Sequence, residues 1–291
     1  MHTARRSWSS LRAERGRGIG GTHVKVFIHT DLEGVCDFYD WKEADIKTSR
    51  GIGYTKEFLT QEVNAAIRGF LEAEPDTQVV VEDGHGGGYW GPNMIAEQLD
   101  RHARLLVGKF DRHLAVIDES FDMLAMVGAH SMAGTPQGLM NHTLSKERYY
   151  DIWVNGTKVG EIGLCAILAG IYKVPLTMVA GDYWAVQEAQ ALLGPIEGAS
   201  VKRGLNSYNA DCLHPEVARG LIQEAAKKAA VRRKEFRPYA VKPPYEMRIA
   251  YVFTEHADKM EVQRGARRID GRTISIEGND LLPLLNAFLM A

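Results

Sequence analysis

Cysteine is scarce in this 291-residue chain: only Cys36, Cys165 and Cys212 are present. They are far apart and odd in number, which excludes a disulfide framework and a zinc-ribbon spacing and points to a reducing compartment. No apolar run approaches the roughly 18 residues of a membrane span. No low-complexity stretch or tandem repeat is present. Neither sign of charge dominates, since 35 Lys and Arg stand against 37 Asp and Glu. A chain with net charge −2 has no electrostatic footprint for nucleic acid. Acids are nearly absent from residues 1–23, where Arg5, Arg6, Arg12, Arg15 and Arg17 face Glu14 alone. With no apolar core, that segment is not a secretory signal. Its composition reads as a disordered basic tail, with an organelle transit peptide the weaker alternative. The remainder, residues 24–291, has ample material for a hydrophobic core.

The stretch that organises this remainder is Val24-Lys25-Val26-Phe27-Ile28-His29-Thr30-Asp31-Leu32-Glu33-Gly34. Val24, Val26 and Ile28 alternate, and Phe27 fills the other face, as in a strand covered on both sides. Residues i and i+2 point the same way, so Asp31 and Glu33 would project together beyond the strand's carboxyl end. Open α/β sheets place their sites there. Gly34 would let the chain turn at once. Two adjacent carboxylates call for a cation or a shared proton. The same stretch is equally compatible with a turn carrying two solvated acids.

Downstream, helical spacing predicts a helix over residues 54–74. A buried strand at 78–81 runs into Glu82-Asp83-Gly84-His85 and a glycine run. A helix is expected at 94–105, then a short strand at 105–107. A strand at 123–127 delivers Gly128-Ala129-His130. Residues 149–154 read as a strand closed by a hairpin turn at Asn155-Gly156. An apolar helix opens at Gly160-Glu161 and runs to Tyr172. A strand at 176–180 ends at Gly181-Asp182, followed by helices near 184–193 and 215–236. Pro243-Pro244 marks a sub-boundary near residues 240–245. Strands at 247–254 and 273–276 and a helix from Asp280 complete a C-terminal segment without catalytic clusters, read as scaffold or oligomer surface. The fold class is α/β: a mainly parallel sheet flanked by helices, a site at the carboxyl ends of its strands, and an extra C-terminal α+β segment.

Most histidines here, namely His2, His23, His102, His113, His214 and His256, read as surface or structural residues. Asp31, Glu33, His85, His130 and Glu161 differ because each follows a buried strand or opens a helix. Carboxylate and imidazole without thiolate suit Zn²⁺, Mn²⁺ or Co²⁺. Five donors exceed the four of a closed zinc site and fit two metals sharing a carboxylate. A competing pattern, Gly86-Gly87-Gly88-Tyr89-Trp90-Gly91, satisfies the dinucleotide fingerprint. It lacks an acid after the next strand to hold a ribose. Asp182 would either orient a ligand imidazole or cap the helix that follows it.

Seven short motifs occur in order: Asp31-Leu32-Glu33-Gly34, Asp83-Gly84-His85, Gly128-Ala129-His130, Met140-Asn141-His142, Val159-Gly160-Glu161-Ile162-Gly163, Val179-Ala180-Gly181-Asp182 and Cys212-Leu213-x-Pro215. Together they resemble the M55 peptidases, zinc-dependent D-aminopeptidases first named as dipeptide-transport proteins. The resemblance covers nearly everything but the basic tail. It implies two zinc ions bound by Asp31, Glu33, His85, His130 and Glu161, with Asp31 bridging. It implies His142 as the catalytic residue; the Gly- and Pro-containing stretch before it reads as a mobile loop from which the imidazole would act as base or nucleophile. It implies short peptides with an N-terminal D-residue, notably D-Ala, as substrates, and a cytoplasmic, ring-shaped homodecamer. Family members often carry Ser at the position of Asn141, which places Asn141 near the substrate pocket. Another two-metal amidase or phosphoesterase is the same-class alternative, although the basic residues that could hold a phosphate, such as Lys202 and Arg203, are not tied to the site by sequence. A nucleotide-binding module is the different-class one.

Overall fold

The computed structural model describes residues 23–41, 51–88, 92–109, 114–263 and 265–289. The basic tail to residue 22 and the Tyr89–Gly91 end of the glycine pattern lie outside them.

Strands β1 (Lys25–Thr30), β2 (Gln78–Asp83), β3 (Ala103–Leu106), β4 (Met123–Ala129), β7 (Leu176–Asp182), β8 (Glu197–Gly204) and β9 (Ala210–Cys212) form a seven-stranded sheet in the order 3-2-1-4-7-8-9. All its pairings are parallel except the last, β8 with β9. The chain extends this sheet to one side of β1, then returns to β4 on the other side. β1 and β4 therefore flank the switch point, where a crevice opens beyond the strand ends.

The alternation in β1 is used on both faces. Val26 and Ile28 pack against Leu59, Val63, Ile67 and Phe70 of helix α1 (Gly51–Ala73) and Ile222 of α4 (Pro215–Val231). Phe27 faces the other core, with Ile162 and Ile167 of α2 (Glu161–Ile171) and Ala185 and Ala189 of α3 (Tyr183–Leu193). Each such fully buried aliphatic or aromatic side chain contributes about 1.5–3 kcal/mol. α1 and α4 cross closely because Gly69 meets α4 backbone: a Cβ there would lie 2.1 Å from Gln223 O. Ala218, Ala225, Ala226 and Ala229 keep the facing side of α4 small.

A second, antiparallel sheet has the order 11-12-10-5-6. It joins the hairpin of β5 (Tyr149–Val154) and β6 (Thr157–Lys158) to β10 (Tyr245–Tyr251), β11 (Ala266–Arg268) and β12 (Thr273–Gly278). Its strands thus come from both sides of Pro243-Pro244. Helices α5 (Thr254–Glu261) and α6 (Leu281–Leu289) complete the C-terminal part. Ile152, Ile249 and Ile274 of this sheet join the core under α2.

Two elements differ from the sequence reading. The helix expected at 94–105 is a single 3-10 turn, Ala96–Gln98, followed by β3. Side chains of α1 satisfy that segment's backbone instead: Ile95 N donates to Thr60 Oγ1, Asp100 N donates to Asn64 Oδ1, and Asn64 Nδ2 donates to Gln98 O. β8 and β9 carry no local signal in a polar stretch. β8 is a strand because it pairs with β7.

Candidate metal centre

β1 delivers Asp31 and Glu33, and two glycines bring β4 against them. A Cβ on Gly34 would lie 1.9 Å from Ala129 O, and one on Gly128 would lie 1.9 Å from Asp31 O. Asp31 N donates to Val127 O at 2.9 Å and Gly34 N to Gly128 O at 2.8 Å. Gly34 sits in the expected turn, which Val35 N closes by donating to Leu32 O at 3.1 Å, and it also serves close approach of the two strand ends. Gly128 has φ +81°, a conformation that favours glycine.

Five predicted donors meet here, and His142 joins them. His85 Nδ1 lies 3.1 Å from both Asp31 Oδ1 and Glu33 Oε2. His130 Nε2 lies 3.2 Å from both Asp31 Oδ2 and Glu161 Oε1. The two oxygens of Asp31 thus face two different histidines. Two triads result, Asp31–Glu33–His85 and His130–His142–Glu161, with ligand atoms within 4.8 Å of one another in each. Asp31 stands between them.

His85 opens a 3-10 turn after β2. The preceding Asp83 is held by Asn93 N and Nδ2, each at 2.7 Å. Glu161 sits in the first turn of α2, where the helix dipole favours its charge. Its Oε1 also accepts from Leu144 N at 2.8 Å. His130 Nδ1 lies 3.0 Å from Ser131 O, so that nitrogen carries the proton and Nε2 presents a lone pair.

His142 is buried, not displayed on a mobile loop. It stacks on His130 with ring centroids 4.0 Å apart, and the edge of Trp41 covers it. Its Nδ1 lies 2.9 Å from Met140 O, which leaves the Nε2 lone pair 3.8 Å from Glu161 Oε1. Asn141 does not face the donors. It ties its own loop, accepting from Gly134 N and donating to Gly138 O. Asp182 Oδ1 accepts from Gly204 N, not from an imidazole.

The charges fit divalent cations. Burial works against charge on Asp31, yet His130 and His85 hold its carboxyl well below the usual range. Burial likewise opposes ionisation of Glu161, and His130 brings it down to about 2. Burial disfavours protonated imidazoles, but Glu33 and Asp31 raise His85, and Glu161 and Asp31 raise His130, well above the ordinary value. Three carboxylates thus demand positive charge at two points. Buried His130 Nε2 makes no hydrogen bond despite two oxygens nearby. Donors around a tetrahedral zinc at ~2.0–2.1 Å would be roughly 3.3 Å apart, close to the separations present.

Two supporting residues have no signature in the sequence pattern. His29 is buried beside Glu82, with Nδ1 2.8 Å from Oε2. Glu82 also accepts from Leu114 N and Ala115 N. The only hint is a histidine on the face of β1 shared by Phe27 and Asp31. Lys202 is fully buried, and its ammonium donates to the carbonyls of Glu33, Val35 and Phe38 at 2.6, 2.7 and 2.5 Å. It binds the loop that leaves Glu33.

Comparison with known proteins identifies the family and the fold. The model of the Peptidase_M55 family, D-aminopeptidase, matches residues 24–290. The chain belongs to the M55 family. It is 28% identical over 274 residues to a D-aminopeptidase of Bacillus subtilis (strain 168), covering 92% of this chain and 96% of that one. The solved Zn-dependent D-aminopeptidase DppA from Bacillus subtilis, a self-compartmentalizing protease, superposes with a TM-score of 0.82 at 26% identity, over 92% of this chain and 95% of that one.

Proposed function

We propose that this M55 chain is a dinuclear zinc aminopeptidase that removes an N-terminal D-amino acid, of the D-Ala type, from short peptides. The observation that carries the reading is Asp31, whose two oxygens face separate donor triads. Asp31, Glu33 and His85 would hold one ion, and Asp31, His130 and Glu161 the other. Mn²⁺ or Co²⁺ suits the same donors. Zinc held there polarises a scissile carbonyl and acidifies a water.

His142 supplies the proton chemistry. Burial lowers its pKa, which keeps its Nε2 lone pair available. Met140 O accepts from Nδ1 and stabilises the ring once Nε2 has taken a proton. The same lone pair could instead attack the carbonyl, leaving an acyl-imidazole.

The alternatives lose support on specific residues. Lys202 is not available to hold a phosphate, since all three of its donors are committed to backbone carbonyls. A dinucleotide site needs a helix N-terminus after the glycine run, whereas among the described residues only a 3-10 turn precedes β3. Assembly into a closed homo-oligomer, a decamer by family resemblance, is part of the proposal, as is a cytoplasmic site of action. Among the described residues no helix is long and apolar enough to cross a membrane.

The test is turnover of D-alanyl and L-alanyl peptides and amides by the purified protein, before and after chelation and zinc return. Release of D-Ala that chelation abolishes and zinc restores is expected. Equal or preferred cleavage of the L-peptides, or activity indifferent to chelation, would overturn the reading.

A further inference from the structure

The segment from His130 to His142 is held by an unusual arrangement. Three consecutive backbone N–H groups each donate to a side-chain oxygen. Met132 N donates to Glu188 Oε2 at 2.7 Å, Ala133 N to Thr143 Oγ1 at 3.2 Å, and Gly134 N to Asn141 Oδ1 at 2.9 Å. Thr143 and Asn141 flank His142 itself. Glu188 comes from elsewhere, on α3, and reaches in from the wall of a cleft of about 420 Å³ that Met132, Lys158 and Trp184 also line.

The second oxygen of Glu188 is the informative one. Oε1 is buried and makes no hydrogen bond. It abuts Gly160: a Cβ there would lie 2.8 Å from Oε1 and 2.5 Å from Met132 Cβ. Gly160 is the N-cap of α2 and precedes Glu161. One carboxylate thus touches both the residue two positions after His130 and the residue immediately before Glu161. A buried acid with an unsatisfied oxygen is costly to keep. A role in simple packing would be filled better by Leu or Met.

We propose that Glu188 is a positioning residue of the metal centre, wedged between Met132 and Gly160 so that it sets the separation of His130 and Glu161. It touches neither substrate nor ion. This inference rests on the dinuclear reading of the site, and it concerns only the His130–Glu161 half. Positioning groups of this kind change metal affinity roughly 10–100-fold.

Zinc affinity by chelator competition tests it, on Glu188→Ala, Glu188→Gln and Gly160→Ala, with melting of the metal-free proteins alongside. In Glu188→Ala one of the two zinc affinities should fall about 10-fold or more while the other stays within about twofold. Glu188→Gln keeps an acceptor for Met132 N and should restore both. Gly160→Ala pushes on the same joint from the other side and should reproduce the one-site loss, which covers the case of a poorly folded Glu188→Ala. Wild-type affinity at both sites in Glu188→Ala or Gly160→Ala, or parallel loss at both sites, would overturn the inference. A wild-type protein that binds no zinc would overturn the dinuclear reading itself.

Discussion

The two donor triads are built differently. Asp31, Glu33 and His85 stand at the ends of adjacent parallel strands, so the β1–β2 ladder delivers them almost unaided. His130, His142 and Glu161 come from a strand end, a loop and a helix start, and three side-chain clamps hold that loop. The first triad inherits its precision from sheet geometry, and the second from packing of separate pieces. Only Asp31 of the first reaches the second, its Oδ2 lying 3.2 Å from His130 Nε2.

The largest effect should therefore come from Asp31. Asp31→Ala is expected to release both ions and abolish turnover, read by elemental analysis, whereas His85→Ala or His130→Ala should weaken one site preferentially. A full metal complement in Asp31→Ala would remove the bridge and with it the comparison. His142→Ala should keep two zinc ions and the fold while losing on the order of 10²-fold in turnover. Loss of one ion instead would make His142 a ligand of the second triad, as its 3.8 Å approach to Glu161 permits.

Support of the first triad is sharpened by Lys202. Lys202→Met leaves the carbonyls of Glu33, Val35 and Phe38 without their buried donor, and a stability loss of about 2–4 kcal/mol is expected by denaturant titration. An unchanged midpoint would mean that water replaces the ammonium. The smallest effect concerns pH. Glu62 is buried, accepts from Cys36 N on the same loop, and burial pushes its carboxyl up to about 7. Because the folded chain holds this proton more tightly than the unfolded one, stability falls as pH rises from about 4.5 to 7, then levels. Glu62→Gln should remove that fall, worth at most about 3 kcal/mol. Parallel stability–pH curves for wild type and variant would show that Glu62 ionises normally.

The uneven legibility of the two triads has the same origin. Val26, Phe27 and Ile28 announce β1 because burial on alternate faces is a local pattern, and Asp31 and Glu33 inherit their direction from it. His85 and His130 are readable for the same reason, as each follows an apolar strand. His142 was legible only through family resemblance, and its loop looks mobile in sequence because the acceptors that pin it are not adjacent in a periodic pattern. The 94–105 helix fails because Asn64 and Thr60 satisfy that backbone from another element.

By itself the amino-acid sequence determined β1, β2, β3, β4 and β7 of the parallel sheet, the direction of the Asp31–Glu33 pair, the donor chemistry and the family. Those properties depend on residue type and short-range period. Tertiary structure alone decided which donors come together, that Gly34 also serves close approach, and that His29 pairs with Glu82. It also decided that Lys202 closes the loop after Glu33. That last contact spans 169 residues. No local propensity encodes such a pairing: it exists only once the sheet order 3-2-1-4-7-8-9 brings β8 within reach of the end of β1.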